Sequence, residues 1–394
     1  MRLAFVTQRC GLEVNGGAEL VCRRVAENLS KQWDIEILTT CALDYVSWSN
    51  HYPAETTHIN GVTVRRFPVE APRNIKYFNL LCETLHRRRK TASRDEQITW
   101  MKAQGPWSPE LFNYIKTHEQ DYDLFVFYGY LYAQCFFGLP SVAERAVLVP
   151  FCHDEWMIDL SIFDELFEQA RQVIYSTHAE RDFLLGRFSH LDPDGPVIGT
   201  GISVPEDVRA ERFCHKHKLE PGYLLYLGRI DQAKGCGELF DFYRAALKTH
   251  EPLPKLVALG RAVMPLPEED WFFSPGFVSE QEKWDAIEGA SLIVLPSRFE
   301  SLSIAVIEGW FRAKPALVNG RCDVMVDQCN RSHGGIWYED QDEFNVSLET
   351  LLSDTGLLSD TGAQIGQQGQ EFAERHYSWP QIIEKYIHAL ADSR

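Results

Sequence analysis

Two glutamates, eight residues apart, are the first pair in this sequence whose spacing suggests a binding site. Glu300 follows an apolar run of strand length, and Glu308 lies inside the predicted helix 301–313. Eight helical steps cover about 12 Å, so the two carboxylates would contact different parts of one ligand and would not share a proton. An acidic helix can place two glutamates at this spacing by chance, so the spacing alone does not define a site.

The backbone between the two glutamates is the second candidate. Ser301, Leu302 and Ser303 would open the predicted helix, where N–H groups have no partner within the helix and can face an anion. One carboxylate for sugar hydroxyls, an anion-binding backbone and a second carboxylate for ribose hydroxyls together describe a site for a sugar nucleotide.

A glycine turn with two cations lies upstream. The segment from Tyr223 to Leu239 is predicted to be a strand, a turn and a helix, and the turn contains Gly228, Arg229 and Lys234. Glycine allows a sharp turn, and the two cations can converge on phosphate oxygens. The alternative is a solvated loop with ordinary surface charges.

A second glycine turn lies near the N-terminus. Asn15, Gly16 and Gly17 close the first predicted strand and open the first helix, so the backbone could approach donor phosphates or an acceptor closely. The same residues would also suit an ordinary turn.

Histidines supply two further candidates. His153 follows a predicted strand at its carboxyl end, where ligand sites of α/β proteins cluster, although it could also be a hydrogen-bonded structural residue. His178 and Glu180 are better explained as part of a helix start, with Ser176 or Thr177 as the N-cap.

The elements that position these residues alternate between strand and helix in both halves of the chain, as in parallel doubly wound sheets. The predicted strands are Leu3–Thr7, Ile35–Thr39, Val62–Phe67, Asp123–Phe127, Ala146–Phe151, Gln172–Tyr175, Tyr223–Leu227, Lys255–Leu259, Leu292–Leu295 and Ala316–Val318. The predicted helices include Ala18–Lys31, 235–249, 281–289, 301–313 and 342–353. Prolines and glycines in 196–205 predict a domain boundary there, and the ligand is expected in a crevice at the carboxyl ends of the strands.

Composition limits the class of protein. A chain of 394 residues predicts two domains of about 180–200 residues each. Lys+Arg 39 against Asp+Glu 56 gives a net charge of −17, which disfavours nucleic acid as a partner. No secretory leader and no apolar run of about 20 residues is visible, and the ten cysteines are scattered. We therefore expect reduced thiols in a cytoplasmic protein.

Residues 73–94 are locally basic, with seven cations and one acid, Glu83. The cations are Arg73, Lys76, Arg87, Arg88, Arg89, Lys90 and Arg94. The segment is either a solvated helical excursion or a patch that faces an acceptor or the inner face of a membrane, where each cation would contribute about 1 kcal/mol.

Three Asp-x-Asp triplets, Asp121–Asp123, Asp192–Asp194 and Asp340–Asp342, raise the question of a metal ion. None lies at a convincing phosphate loop, and Arg229 and Lys234 would supply positive charge instead. We therefore expect no essential metal and no other cofactor.

The segments 228–235 and 296–308, together with Gly16–Glu19, resemble the retaining nucleotide-sugar glycosyltransferases of family 4. The resemblance extends over nearly the whole chain, since His153–Trp156 and Tyr377–Trp379 also fall where that family has comparable segments. The C-terminal motifs are specific and the N-terminal ones are suggestive.

The resemblance implies a role for each matching residue. Arg229 and Lys234 would hold the donor diphosphate, Glu300 would face the donor sugar and Glu308 would bind the ribose. Ser303 departs from the family, in which many members have glycine, so a hydroxymethyl group beside the donor sugar could change which sugar fits. The family is generally independent of metals.

The resemblance also implies an α/β architecture of the GT-B type, with two facing Rossmann-like domains. Residues 1–200 would form the acceptor domain, 201–376 the donor domain, and 377–394 would contain a helix that crosses back to the first domain.

The expected activity is transfer of a hexose, with retention, from a nucleotide diphosphate sugar to a hydroxyl of a carbohydrate or lipid-linked carbohydrate acceptor. Polysaccharide or lipopolysaccharide synthesis is the expected setting, by analogy alone. A GT-B sugar-nucleotide 2-epimerase and a non-catalytic sugar-nucleotide-binding protein are the alternatives. A Rossmann dehydrogenase is disfavoured because no G-x-G-x-x-G follows the first strand.

Overall fold

The computed structural model describes residues 1–14, 16–249, 252–353 and 356–392. Asn15, part of the predicted N-terminal glycine turn, lies outside the described residues. The chain forms two compact units, Met1–Gly201 together with Ile382–Arg394, and Ile202–Gln381.

The first unit contains a sheet of seven strands within its described residues. They are β1 (Arg2–Val6), β2 (Asp34–Thr40), β3 (Thr56–Ile59), β4 (Val62–Phe67), β5 (Leu124–Tyr128), β6 (Ala146–Val149) and β7 (Gln172–Val173). Their order is β3-β4-β2-β1-β5-β6-β7, and all neighbours are parallel except β3 and β4. The inner strand β5 is buried along its whole length, which explains its continuous apolar sequence.

Helices and short 3-10 turns connect these strands. The helices are α1 (Gly17–Leu29), α2 (Ile75–Arg88), α3 (Arg94–Gln104), α4 (Pro109–Thr117), α5 (Ala133–Gly138), α6 (Ile162–Gln169) and α7 (His178–Arg187). The 3-10 turns are Glu119–Asp121, Leu139–Arg145 and Trp156–Asp159. Helix α1 buries Val21, Cys22, Val25, Ala26 and Leu29, one face at helical spacing, against the sheet.

The second unit contains a sheet of six strands within the part that the structure describes, and all of its neighbouring strands are parallel. They are β8 (Tyr223–Leu227), β9 (Leu256–Leu259), β10 (Phe272–Gly276), β11 (Ala290–Leu295), β12 (Ala316–Asn319) and β13 (Gly335–Tyr338), in the order β10-β9-β8-β11-β12-β13. The helices are α8 (Ala210–His217), α9 (Cys236–Ala246), α10 (Glu280–Gly289), α11 (Ile304–Trp310), α12 (Asp323–Ser332), α13 (Gln341–Leu351) and α14 (Asp360–Tyr377).

Helix α11 is much shorter than the predicted helix 301–313, and this part of the prediction is wrong. Ser303 is the N-cap, with φ −83° and ψ 90°, so Ser301 and Leu302 precede the helix. The helix ends at Trp310, and Pro315 follows closely, which disfavours helical backbone at the residue before it.

The last helix, α15 (Trp379–Asp392), begins in the second unit and continues into the first. Ile382, Tyr386 and Leu390 are fully buried, and the Tyr386 hydroxyl donates to the Gly199 carbonyl at 3.3 Å. The predicted return of the last helix to the first unit is confirmed.

No helix in the described part of the chain has both the length and the apolar character needed to cross a membrane. All ten cysteines are free.

Candidate functional site

The turn after β8 is fixed by a glycine conformation, by a tyrosine hydroxyl and by the backbone of the next turn. Gly228 has φ 149°, which is rarely accessible to other residues, and the buried Tyr226 donates its hydroxyl to the Arg229 carbonyl at 2.7 Å. A Cβ atom on Gly260, at the end of β9, would collide with the Gly228 carbonyl. The turns after β8 and β9 are therefore in direct backbone contact.

A third glycine joins this turn to the end of β11. Gly235 is the N-cap of α9 with φ 76°, and a Cβ atom there would collide with the Pro296 carbonyl. The two motifs predicted from sequence, 228–235 and 296–308, therefore lie side by side at the carboxyl ends of adjacent strands.

The two predicted cations form one cluster with two carboxylates. Arg229 Nε pairs with Asp231, and Lys234 Nζ lies 2.7 Å from Glu300 Oε1. Asp231 also accepts the Lys234 backbone N–H at 2.7 Å, so it fixes both ends of the turn. The side chains of Arg229 and Lys234 are 40% and 32% exposed, so a ligand can reach both cations. Sequence reasoning missed Asp231, although it lies between the two cations.

Glu308 is almost completely buried in α11 and is paired with a cation from α10. Lys283 Nζ lies 2.6 Å from Glu308 Oε1 and 2.9 Å from Glu280 Oε1. Sequence reasoning missed Lys283, because nothing in the sequence predicts that α10 places it beside a residue 25 positions away.

The predicted anion-binding backbone is not the first turn of a helix. Ser301, Leu302 and Ser303 precede α11, and the Ser303 N–H donates to Gln328 Oε1 at 3.4 Å. Because Glu300 lies outside the helix, the estimate of about 12 Å between the two glutamates, based on eight helical steps, also does not apply.

In the first unit, Gly16 and Gly17 start α1 as predicted. Gly16 is the N-cap, and a Cβ atom there would collide with the Glu19 carboxylate. Glu19 is buried and paired with Arg9 at 2.7 Å, so Gly16 makes room for this ion pair. A Cβ atom on Gly17 would meet nothing within 4 Å, so the backbone there is open to a ligand.

His153 lies in the loop after β6 and is partly buried. Its neighbour Glu155 accepts the Tyr130 hydroxyl at 3.0 Å, and burial raises the pKa of the Glu155 carboxyl, while the charge of His153 opposes that shift. This loop therefore places an imidazole next to a carboxyl group at the carboxyl end of a parallel strand.

Glu180 is part of a helix start, as predicted. Thr177 is the N-cap of α7 and its hydroxyl accepts the Glu180 N–H at 3.1 Å. The Glu180 carboxylate accepts the backbone N–H of Ser176 at 2.6 Å and also that of Cys152. Burial raises the pKa of Glu180 to about 7. The contacts of Glu180 fix the loop after β6 to α7.

The basic segment 73–94 is partly neutralised by acids from elsewhere in the first unit. Three of its cations form ion pairs with acids outside the segment, which are Arg88 with Glu96 at 2.7 Å, Arg89 with Asp159 at 2.7 Å and Arg94 with Glu165 at 2.6 Å. The count of seven cations against one acid therefore overestimates the charge of this surface.

The structure also adds two exposed apolar residues that no pattern in the sequence indicates. Phe277 follows β10 and is 69% exposed, and Val263 follows β9 and is 57% exposed. Both lie beyond strand ends on the same edge of the sheet as the turn after β8. In the described part of the chain, no group of three or more His, Cys, Asp or Glu side chains is arranged to hold a metal ion.

No protein-family model and no curated protein matches the sequence. Solved structures do match in three dimensions over the full length. Sucrose-phosphate synthase from Thermosynechococcus elongatus matches with a TM-score of 0.69 and 14% identity, over 100% of this chain and 99% of the other. HepE from Anabaena in complex with UDP-glucose matches with a TM-score of 0.69 and 15% identity, over 100% of both chains. The lipopolysaccharide outer core galactosyltransferase WaaB matches with a TM-score of 0.63 and 16% identity, over 100% of both chains.

At these identities the matches establish the fold. The protein has the α/β fold of GT-B glycosyltransferases, with two parallel-sheet units, and the predicted fold class is confirmed.

Proposed function

We propose that the protein is a retaining, metal-independent glycosyltransferase that transfers a hexose from a nucleotide diphosphate sugar to a hydroxyl acceptor. The observation that supports this most directly is the cluster of Arg229, Asp231, Lys234 and Glu300 at the carboxyl ends of β8 and β11. Ligands of parallel sheets bind at this edge, and the cluster offers cations for phosphates beside a carboxylate for sugar hydroxyls.

In this proposal the donor diphosphate contacts Arg229 and Lys234. Each cation is held by a carboxylate and remains partly exposed, so phosphate oxygens can bind without rearrangement of the turn. Negative charge grows on the diphosphate as the anomeric bond breaks, and fixed cations stabilise that charge more strongly in the transition state than in the ground state.

The nucleoside would lie along the same edge of the second unit. Glu308 would accept ribose hydroxyls, and Lys283, at 2.6 Å, would hold its carboxylate in position. The exposed ring of Phe277 and the side chain of Val263 offer apolar surfaces for a base. HepE is described in complex with UDP-glucose and WaaB as a galactosyltransferase, which makes UDP-hexoses the first donors to test.

Glu300 is the carboxylate proposed to face the donor sugar. Its pairing with Lys234 at 2.7 Å lowers its nucleophilicity, which favours a hydrogen-bonding role over a covalent one. We therefore propose retention by attack of the acceptor on the leaving-group face. Gly17 and His153 in the first unit are the proposed acceptor contacts, and the acceptor would belong to polysaccharide or lipopolysaccharide synthesis.

We also propose a membrane contact through 73–94, made by fewer cations than the sequence predicts. Lys76 and Lys90 have no ion pair among the described residues, and Arg87 meets only Glu83 at 3.8 Å. Ile75 and Leu80 are exposed on the same helix, α2. These five side chains, rather than all seven cations, are the ones expected to meet an anionic membrane.

The first test is a thermal-shift screen of the intact protein with UDP-, GDP- and ADP-sugars. A ligand at 100 times its Kd stabilises the folded state by about 2.7 kcal/mol, which is readily measured. A donor hit is then followed by NMR, in which retention appears as an unchanged anomeric configuration in the product. Conversion of the donor to a C2 epimer without acceptor would instead identify an epimerase, and binding without any hydrolysis or transfer would identify a sensor.

A further inference from the structure

A cavity in the first unit lies between α2, α3 and the segment that follows β4. Its volume is about 490 Å³, within the range of about 300–1,000 Å³ that is typical of small-molecule sites. Trp48, which follows β2, and Glu70, which follows β4, contribute to its lining, so it is at the edge of the sheet where ligands bind.

Trp48 forms a fixed wall of the cavity. It has φ 56°, a left-handed conformation that bulky residues rarely adopt. Its indole N–H donates to the Gln104 carbonyl at 2.7 Å, and its ring meets Tyr132 edge-on at 5.7 Å. These contacts hold one conformation of a side chain that is only 1% exposed.

A second wall combines an aromatic ring with two charges. The Trp107 indole N–H donates to Glu70 Oε2 at 2.8 Å, and the Glu70 backbone N–H donates to the Trp107 carbonyl at 3.0 Å. Lys102 Nζ lies 5.2 Å from the centre of the Trp107 ring. This wall therefore presents an apolar surface with a carboxylate and an ammonium group at its rim.

The charges around the cavity sum to one positive charge. Glu70 and Lys102 have opposite signs, and the guanidinium of Arg73 is held by neutral acceptors, because it donates to the Tyr45 carbonyl at 3.1 Å and to the Gln104 carbonyl. The carboxylate and the two cations offer acceptors and donors to hydroxyl groups, whereas a purely apolar ligand would leave these charged groups without partners.

Two further side chains contribute to the lining. Tyr77 is 46% exposed and adds a third aromatic ring, and Thr99 adds a hydroxyl. Aromatic faces with donors and acceptors at their edges match a sugar ring, which has apolar C–H faces and a rim of hydroxyls.

We infer that this cavity binds one neutral sugar unit of an oligosaccharide. The inference deepens the proposed function. It rests on that function only for the role of the bound sugar, which would be a part of the acceptor remote from the hydroxyl that reacts. The binding of sugar itself does not depend on donor chemistry, which is assigned to the second unit.

The test is saturation-transfer NMR, followed by titration, of the full chain with neutral di-, tri- and tetrasaccharides of glucose, galactose and mannose. Thr99→Ala has a matched control in Thr84→Ala, since both threonines are exposed on helices and both donate to the carbonyl four residues earlier at 2.8 Å. Tyr77→Ala is matched by Val346→Ala, an exposed apolar residue of helix α13 outside the lining.

Tyr77→Ala is expected to weaken binding of the tightest-binding oligosaccharide about tenfold, equivalent to about 1.4 kcal/mol. Thr99→Ala is expected to weaken it less. Both controls are expected to bind like the original protein, and UDP affinity should be the same in all five proteins. The inference is overturned if no sugar of the panel binds, if each variant binds like its control, or if Tyr77→Ala also weakens UDP. It is also overturned if Tyr77→Ala weakens binding to vesicles of anionic phospholipid and leaves sugar binding unchanged. If sugar binding depends on Tyr77 but the protein binds no nucleotide, this inference stands and the proposed function is refuted.

Discussion

The Nζ atom of Lys234 lies 2.7 Å from Glu300 Oε1, although the two residues are 66 positions apart in the sequence. This contact joins the turn after β8 to the bend after β11. A cation proposed for phosphate and a carboxylate proposed for sugar hydroxyls are thus direct partners, so each one sets the electrostatic environment of the other.

Lys234→Ala is expected to lower kcat more than it weakens donor binding, because leaving-group charge is greatest in the transition state. The expected loss of transition-state stabilisation is about 2–4 kcal/mol, which is what one hydrogen-bond donor contributes in an active site that excludes water. Lys248→Ala, an exposed lysine just after α9, is the control. Steady-state kinetics with saturating donor provide the measurement, and normal turnover of the Lys234 variant would refute the diphosphate assignment.

Glu308→Ala is expected to raise the donor KM with little change in kcat, since a ribose contact persists through the reaction. The variant should also be less stable than the original protein, because Lys283 loses its buried partner and keeps only the exposed Glu280. Glu280→Ala is the matched control, since Glu280 contacts the same lysine but is exposed, and the expected change is about 0–1 kcal/mol. Equal effects of the two variants on stability and KM would contradict the ribose role.

Stability should depend on pH through Glu180. Burial raises the pKa of this carboxyl from 4.5 to about 7 in the folded protein, so the folded state binds the proton more tightly. The resulting stabilisation is complete below about pH 4.5 and is lost as the pH rises through about 7, with a total of about 3 kcal/mol. Calorimetry should therefore show a flatter pH dependence of Tm for Glu180→Gln. The exposed Glu110→Gln variant should retain the original slope, and identical slopes in all three proteins would count against this account.

Gly260→Ala should destabilise the second unit by several kcal/mol, because φ is 148° and the added Cβ would collide with the Gly228 carbonyl. Any shift of Gly228 displaces Arg229, so donor affinity should fall as well. Gly186→Ala is the comparison, since its Cβ would meet nothing within 4 Å in helix α7. That change should stabilise by about 0.5–1 kcal/mol. Chemical denaturation and nucleotide titration of both variants test the pair, and tolerance of alanine at 260 would show that the two turns are not in the contact described.

EDTA is expected to leave the transfer rate nearly unchanged, since Arg229 and Lys234 supply the positive charge that a divalent ion would otherwise bring to the diphosphate. The measurement is the initial rate before and after chelation. Complete loss of activity that magnesium or manganese restores would redirect attention to the Asp-x-Asp triplets.

The parallel sheets were predictable because their inner strands are buried on both faces and therefore have apolar sequences. The strands missed by the prediction lack that signal. Strand β3 alternates between exposed and partly buried residues, β10 contains Pro275, and β13 contains the exposed Trp337. Strands of this kind are stabilised by their neighbours in the sheet rather than by their own composition.

The site was predictable only in part for a related reason. Residue types and spacing identified Arg229, Lys234, Glu300 and Glu308, but their roles are still predictions. Their partners depend on which helices and turns meet in three dimensions, and Lys283 beside Glu308 has no sequence signal. The start of α11 was misplaced because a polar Ser-Leu-Ser segment is compatible with both a helical turn and an extended N-cap.

Helix α15 has a consequence for biosynthesis. The first unit needs Ile382, Tyr386 and Leu390, which are synthesised only after the whole second unit. On the ribosome the first unit must therefore wait with part of its apolar surface uncovered, while the second unit can complete its fold from contiguous chain. Deletion of the residues beyond Gln381 would therefore destabilise the first unit, most of which is far away in the sequence. Chaperone dependence should be concentrated in the N-terminal half of the nascent polypeptide.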